Sequence, residues 1–397
     1  MQIIIPQEEL YSRIQLFQKK MREKEIDAVL IAERTDLYYF SGTGQQAFLY
    51  MQPEGEPLLL VKKDFERARM ESNLRKIVPL QNLKQLPSLL REHGYAIPGI
   101  LAMELDVLAV NEYFYYQKIF GERKIIDCSA IIKQVRMLKT SYEIELFTKT
   151  AEKHQQVYKL VADILYEGIK DVDVSAEIEK LSRKQEHMGI IRFRGLNNEM
   201  FFASIIAGEE ACVPSGYDTP LAGIGISPVF PMGASGKEIK RGEPVILDCG
   251  GNYYGYVVDQ TRVYAIGKPL EKLLHAHEIS IEILAGIRER SKPGTPIAET
   301  YNWAYDYAKK AGLEEHFMGY GSNRVTFIGH GVGLELSELP VIIGKGQTVF
   351  EEGMVIAVEP KFVFPGLGGV GVEDTLVVTE KGLEPFTEYY PEELKIV

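Results

Sequence analysis

The sequence predicts an α+β protein of two domains, an N-terminal α/β domain over residues 1–135 and a larger domain of helices and strands over residues 136–397. In the first third of the chain, short apolar runs alternate with amphipathic helical patterns. A helix-start signature follows near residue 140, and glycine-punctuated apolar runs dominate from residue 200 onward. The length of 397 residues also suits two or three domains of ordinary size.

The N-terminal domain begins with a predicted amphipathic helix over residues 8–25, in which Leu10, Ile14 and Phe17 recur at three- and four-residue spacings. Three short apolar runs predict buried strands at residues 28–32, 58–61 and 99–103. Helix-like stretches between these runs predict an α/β arrangement.

The larger domain begins with a predicted capping box, because Glu143 lies three residues after Thr140, a favourable N-cap. A long helix carrying apolar residues from Ile144 to Ile164 is expected next, and residues 171–187 predict another. Further on, strands are predicted at residues 202–207, 244–249, 256–266, 325–328, 354–359 and 369–378, and helices at 270–290 and 297–311.

Composition excludes several classes of function. The formal net charge of -11 argues against nucleic acid or an anionic membrane surface as the main partner. No apolar run approaches the ~18–20 residues that a membrane span needs, and the N-terminus lacks the pattern of a signal peptide. Cys128, Cys212 and Cys249 are dispersed, which predicts no disulfide framework and favours a cytoplasmic location.

Four carboxylates lie within or directly after apolar strand patterns, where a lone charge is costly: Asp248, Asp259, Glu359 and Glu373. Few basic residues stand near them in sequence, so metal ions are the obvious partners. Asp248 and Asp259 flank the turn-rich residues 250–255, which predicts a hairpin whose register the sequence leaves open. His330, in a glycine-rich segment, is a fifth candidate ligand. Carboxylate and imidazole ligands suit Mn, Fe, Co or Zn.

Each of these residues alone has an ordinary explanation as a turn, loop or strand-end residue. Together, they stand in five motifs that resemble the ligand signature of the pita-bread metallopeptidases, the family of aminopeptidase P, prolidase and creatinase. These motifs are residues 247–251, 258–262, 329–333, 358–360 and 372–374. Residues 136–145 also resemble the opening of that catalytic domain, and the N-terminal domain resembles that of the creatinase and prolidase branch.

The resemblance implies a creatinase-like N-terminal domain followed by a pita-bread catalytic domain. It implies two divalent ions (Mn, Co, Fe or Zn) bridged by Asp259 and Glu373, with Asp248 on one ion and His330 and Glu359 on the other. Hydroxide held between the ions would attack an amide C–N bond. Glu359 and His330 would be the catalytic residues, with Glu359 as proton shuttle. A homodimer is also implied.

The chain departs from the family pattern where the substrate is expected to bind. Ser215 and Ser337 stand where the family carries histidines, and Gly371 stands where an arginine is common. Serine can donate a hydrogen bond but cannot carry positive charge. By resemblance, Arg192 and Arg194 approach the substrate side, where they could clamp a carboxylate; the alternative is ordinary surface charge.

Three functions therefore remain open. The first is hydrolysis of a short Xaa-Pro peptide, and the second is the reaction of a hydrolase or lyase on a small non-peptide metabolite, on the same scaffold. The third is a binding protein without catalysis, which would require a damaged metal site. The glycine- and proline-rich residues 214–236 add a further choice between an active-site lid and a surface excursion.

Overall fold

The computed structural model of the chain describes residues 3–196, 199–386 and 391–397. Its contacts divide the chain into two units. The first comprises Met1–Arg136 and Arg194–Asn198, and the second comprises Met137–Phe193 and Glu199–Val397. A short segment after Phe193 thus belongs to the first unit. No local sequence pattern indicates this assignment, because it depends on tertiary contacts.

The first unit is a six-stranded mixed sheet with helices. Its strands are β1 (Ala28–Ile31), β2 (Ala47–Met51), β3 (Leu58–Val61), β4 (Ile77–Pro79), β5 (Ile100–Met103) and β6 (Lys124–Asp127), in the spatial order β4-β3-β2-β1-β5-β6. Its helices are α1 (Gln7–Glu23), α2 (Arg34–Ser41), α3 (Phe65–Glu71), α4 (Leu86–Glu92), α5 (Val110–Ile119) and α6 (Ser129–Met137). The predicted first helix and the three predicted strands are confirmed.

Periodicity explains these elements. Leu10, Ile14 and Phe17 form the buried face of α1. Leu30 and Leu60, on separate strands, are fully buried in one apolar cluster, as expected for short apolar runs covered on both faces.

A buried carboxyl in this unit makes stability depend on pH. Glu104 is 2% exposed and accepts hydrogen bonds from the backbone N–H groups of Ala32 and Glu33. Burial, followed by the nearby Asp36 carboxylate, raises the pKa of Glu104 from 4.5 to about 8. Between these values the folded state binds more protons than the unfolded state, so stability falls as pH rises.

We therefore expect Glu104→Gln to flatten the pH dependence of stability. Relative to the variant, the wild type should lose on the order of a few kcal/mol of unfolding free energy between about pH 5 and pH 9. Urea unfolding of both full-length proteins across this range measures the difference. Parallel curves for the two proteins would contradict the assignment.

The second unit contains four long helices and eleven strands in its described residues. The helices are α7 (Ser141–Tyr158), α8 (Asp171–Lys184), α9 (Glu271–Arg290) and α10 (Ile297–Lys310). The strands are β7 (Ala203–Ala207), β8 (Pro244–Asn252), β9 (Val257–Ala265), β10 (Phe327–Gly331), β11 (Glu338–Ile343), β12 (Val355–Val358), β13 (Lys361–Phe364), β14 (Gly368–Gly371), β15 (Asp374–Thr379), β16 (Gly382–Pro385) and β17 (Lys395–Ile396). No helix in the described part of the chain is long and apolar enough to cross a bilayer.

Three sheets organise these strands, in the orders β17-β9-β8-β7, β11-β10-β12-β15-β16 and β13-β14. The predicted capping box at the start of α7 is confirmed, since Thr140 and Glu143 each cap the other's backbone N–H. Helix α7 ends at Tyr158, earlier than predicted, and a short 3₁₀ turn follows at Val161–Asp163.

Two predicted strands differ from the structure in ways that matter for the site. Strand β8 continues to Asn252, so Gly250 and Gly251 lie within the strand rather than in a turn. A Cβ at Gly251 would lie 2.6 Å from the ring of His154, which explains the glycine there. The strand predicted at residues 369–378 is two strands, β14 and β15, that pair with different partners.

The segment over residues 214–236 is folded back on itself. Gly225 and Gly233 are joined by a backbone hydrogen bond, and Leu221 and Met232 are buried. Val229 is 90% exposed. The segment is therefore anchored at its base and presents its apolar tip to solvent, which is compatible with both roles considered from the sequence.

Candidate active site

The β8–β9 hairpin positions the two aspartates. Its register pairs Asp248 with Thr261 and Gly250 with Asp259. The aspartates are therefore offset diagonally by two residues rather than directly opposite. Because strand side chains alternate with a period of two, both still point to the same face. The side chain of Asp248 is 22% exposed, whereas Asp259 is almost buried.

Strands β10 and β12 bring the histidine beside the first glutamate. His330 pairs with Ala357, and the N–H of Glu359 donates to the carbonyl of Ile328. The Nδ1 atom of His330 lies 3.2 Å from the carbonyl oxygen of Gly331. Because a carbonyl only accepts, Nδ1 donates this bond and leaves the Nε2 lone pair available for a ligand role. His330 Nε2 lies 3.9 Å from Glu359 Oε1.

Glu373 lies at the junction of β14 and β15, and β9 holds it there. The backbones of Glu373 and Thr261 form an isolated antiparallel bridge. Thr261 Oγ1 also donates to Glu373 Oε2 at 2.8 Å. Arg262 fixes the junction from within the core, because it donates to the carbonyl of Glu373 and to the Asp374 carboxylate. The Glu373 carboxylate is thereby set in one orientation.

Three of the five predicted ligands form a group that suits a divalent ion. Ligand atoms of Asp259, His330 and Glu373 all lie within 4.8 Å of one another. Burial first, and then neighbouring carboxylates, raise the pKa of both Asp259 and Glu373 well above their ordinary values. Two buried carboxylates and an imidazole nitrogen are a donor set that fits Mn, Fe, Co or Zn.

A lysine that sequence reasoning did not select occupies the other side of the cluster. Lys361 Nζ lies 2.9 Å from Asp248 Oδ2, 2.8 Å from Glu359 Oε2 and 2.9 Å from Glu373 Oε2. Burial opposes its charged form, but these three carboxylates outweigh burial and raise the pKa of Lys361 well above its ordinary value. One signal was present: Glu359 and Lys361 are two residues apart, as residues on one strand face are.

Gly371, which stands where an arginine is common in the family, lies directly across the β13–β14 hairpin from Lys361. A Cβ at this position would lie 2.7 Å from both Cα and Cγ of Lys361 and 2.6 Å from the carbonyl oxygen of Pro360. The stem of Lys361 thus occupies the space that a side chain at residue 371 would need.

We expect Gly371→Ala to destabilise the protein by about 1–3 kcal/mol, as overpacking typically does. Thermal or urea unfolding measures the loss. Gly216→Ala is the matched control, because a Cβ at Gly216 meets nothing within 4 Å, and it should change stability by less than about 0.5 kcal/mol. Equal stabilities of the two variants would contradict the crowding argument.

The two serines lie in different surroundings. Ser215 follows the 3₁₀ turn Gly208–Cys212, and its Oγ is buried without a hydrogen bond to any described residue. Ser337 is exposed between β10 and β11. The carbonyl of Arg192 accepts from the N–H of Leu336 at 2.9 Å, which ties the Arg192 backbone to the segment next to Ser337.

Arg194 is engaged within the first unit. Its guanidinium is 6% exposed and lies 2.7 Å from both Asp36 Oδ2 and Asp106 Oδ2. Arg136 also binds Asp36, at 2.6 Å. The sequence left open a substrate carboxylate or ordinary surface charge for Arg194; the structure instead pairs this nearly buried side chain with two carboxylates of the protein.

Comparison with known proteins identifies the family. The profile of metallopeptidase family M24 matches residues 145–380, and that of the Creatinase/Prolidase N-terminal domain matches residues 13–138. An Xaa-Pro dipeptidase of Pyrococcus furiosus is 31% identical over 379 residues, covering 95% of this chain and 97% of that protein.

Solved structures agree with this match. An Xaa-Pro dipeptidase from Bacillus anthracis superposes with a TM-score of 0.83 at 26% identity, covering 98% of this chain and all of that one. A prolidase from Pyrococcus horikoshii superposes with a TM-score of 0.80 at 26% identity, covering 96% of this chain and all of that one. The α+β architecture with a creatinase-like first domain is confirmed, and the chain belongs to metallopeptidase family M24.

Proposed function

We propose that this chain is a metal-dependent peptidase that hydrolyses the bond before proline in short peptides. The observation that carries the proposal is the convergence of Asp259, His330 and Glu373 within 4.8 Å, with both carboxylates buried and His330 partly exposed. Relatives that match nearly the whole chain are named Xaa-Pro dipeptidases. The structure-based grouping and the relatives therefore support the same chemistry from independent directions.

Each residue of the site has a proposed role. Asp259, His330 and Glu373 would hold a divalent ion, which when bound supplies an activated water and polarises the scissile carbonyl. Glu359 Oε2 pairs with Lys361, and Glu359 Oε1 lies on the side of His330. From there, Oε1 can take a proton from the attacking water and pass it to the leaving nitrogen. Asp248 pairs with Lys361 and holds its ammonium in place.

The finer features of the proposal follow from the donor set and the family. Oxygen and imidazole ligands favour Mn, with Co, Fe or Zn as alternatives. The three cysteines are free, which is consistent with a cytoplasmic protein. A homodimer is proposed by resemblance to the family.

A substrate panel tests the proposal. Protein loaded with Mn(II) should release proline from Ala-Pro and Met-Pro much faster than it releases alanine from Ala-Ala, and Asp259→Asn should abolish this release. Mn(II)-bound protein that hydrolyses none of these peptides would contradict the proposed function.

Ser215 and Ser337 favour a second candidate, a hydrolase or lyase of a small non-peptide metabolite. Neither serine can supply the positive charge of a histidine. The Ser215 Oγ is buried and has no hydrogen bond to a described residue. Hydrolysis of small C–N compounds, with the Xaa-Pro peptides untouched, would select this candidate.

A further inference from the structure

This site already contains a cation that the chain itself supplies. Lys361 Nζ makes three short contacts, to Asp248, Glu359 and Glu373. Among the described residues, Asp259, His330 and Glu373 form a second group, which could hold an ion. Glu373 is common to both groups and lies between them.

We infer that this member of the family binds one divalent ion rather than two, with the Lys361 ammonium as a built-in second cation. The inference rests on the proposed function, because it concerns the metal content of the same site. The resemblance to the family implies an ion on Asp248. In this chain, Asp248 binds Lys361 instead.

Packing holds the lysine in this place. Its side chain is 1% exposed, and its stem fills the space opposite Gly371. A second ion on Asp248 would have to displace the ammonium from three carboxylates and leave it buried without a comparable partner, which is costly. A second ion that bound beside the ammonium would instead be repelled by the positive charge of Lys361 at short range.

The charges of the site agree with a single ion. The carboxylates of Asp248, Asp259, Glu359 and Glu373 carry four negative charges when ionised, and Lys361 carries one positive charge. One divalent ion leaves the cluster with a single net negative charge. A second divalent ion beside the ammonium would bring the sum to a single net positive charge, which would then need a bound anion such as hydroxide to balance it.

Metal stoichiometry tests the inference without reference to activity. Full-length protein is stripped with a chelator, loaded with excess Mn(II), desalted and measured by elemental analysis and by electron paramagnetic resonance. We expect one Mn per chain with the spectrum of an isolated ion. Two Mn per chain with an exchange-coupled spectrum would overturn the inference and leave the proposed function standing. Protein that retains none of Mn, Co, Fe or Zn after loading would overturn both.

Variants locate the ion and the lysine separately. Lys361→Ala should raise the number of bound Mn ions per chain from one to two, whereas Lys139→Ala should leave that number at one. Lys139 is the matched control, because it is equally buried and is paired with Glu338. A single Mn in Lys361→Ala would overturn the inference.

A second pair of variants decides the question if Lys361→Ala fails to fold. Asp259→Asn should lose the ion. Asp248→Asn should keep it, because Asp248 pairs with Lys361 rather than with the ion. Loss of Mn from Asp248→Asn would place the ion on Asp248 and contradict the inference.

Discussion

Replacing Glu359 by glutamine is expected to lower peptide hydrolysis by about 10²–10⁴-fold, the usual contribution of a positioned proton-transfer group. Glutamine keeps an oxygen that can accept from Lys361 Nζ, now 2.8 Å from Glu359 Oε2, but it cannot take a proton from water. The ion should remain bound, since Asp259, His330 and Glu373 are untouched. Steady-state kinetics and metal analysis on the same preparation measure both effects.

Glu352→Gln is the control for this prediction. Glu352 is exposed and lies in the turn before β12, so its substitution removes the same charge from the same region without reaching the site. We expect its activity to match that of the wild type. Activity of Glu359→Gln near the wild-type rate, with the ion retained, would show that another group moves the proton.

The second large effect is expected from Arg262→Met. Arg262 and Asp374 are joined at 2.8 Å, with side chains that are 1% and 0% exposed. Removing one member of a buried ion pair typically costs about 3–5 kcal/mol, because the other charge stays buried. Arg262 also holds the backbone of Glu373, so metal affinity should fall together with the free energy of unfolding.

Arg241→Met is the matched control for Arg262→Met. Arg241 is paired with Glu167 at 3.4 Å, and both side chains are more than half exposed. Surface pairs of this kind contribute about 0–1 kcal/mol, so urea unfolding should barely change. A loss below about 1 kcal/mol in Arg262→Met would contradict the role assigned to the buried pair.

The sequence was sufficient to select the metal-ligand candidates. Asp259 and Glu373 stand out because carboxylates are rare in apolar strand patterns, and such placement indicates a cation. Their grouping with His330 depends on strand pairing, which the period of a single strand does not determine. The diagonal offset of Asp248 and Asp259 likewise could not be predicted without knowing the register of the β8–β9 hairpin.

Most partners of Lys361 and Arg194 could not be assigned from local sequence pattern. Lys361 reaches the site because β13 folds back against β14 opposite Gly371, and the strands predicted from the sequence do not include β13. Arg194 binds Asp36, which is 158 residues away along the chain. The spacing of Lys361 from Glu359 is a local signal, but the contacts of Lys361 with Asp248 and Glu373 and that of Arg194 with Asp36 are set by tertiary packing.

The location of bound metal tests the account most directly. A crystal structure of Mn(II)-loaded protein, with anomalous diffraction to locate the metal, would show how many ions are present and where they lie. The account predicts one anomalous peak among Asp259, His330 and Glu373, with Lys361 Nζ still against Asp248. Two peaks with Lys361 displaced, or no peak at all, would contradict it.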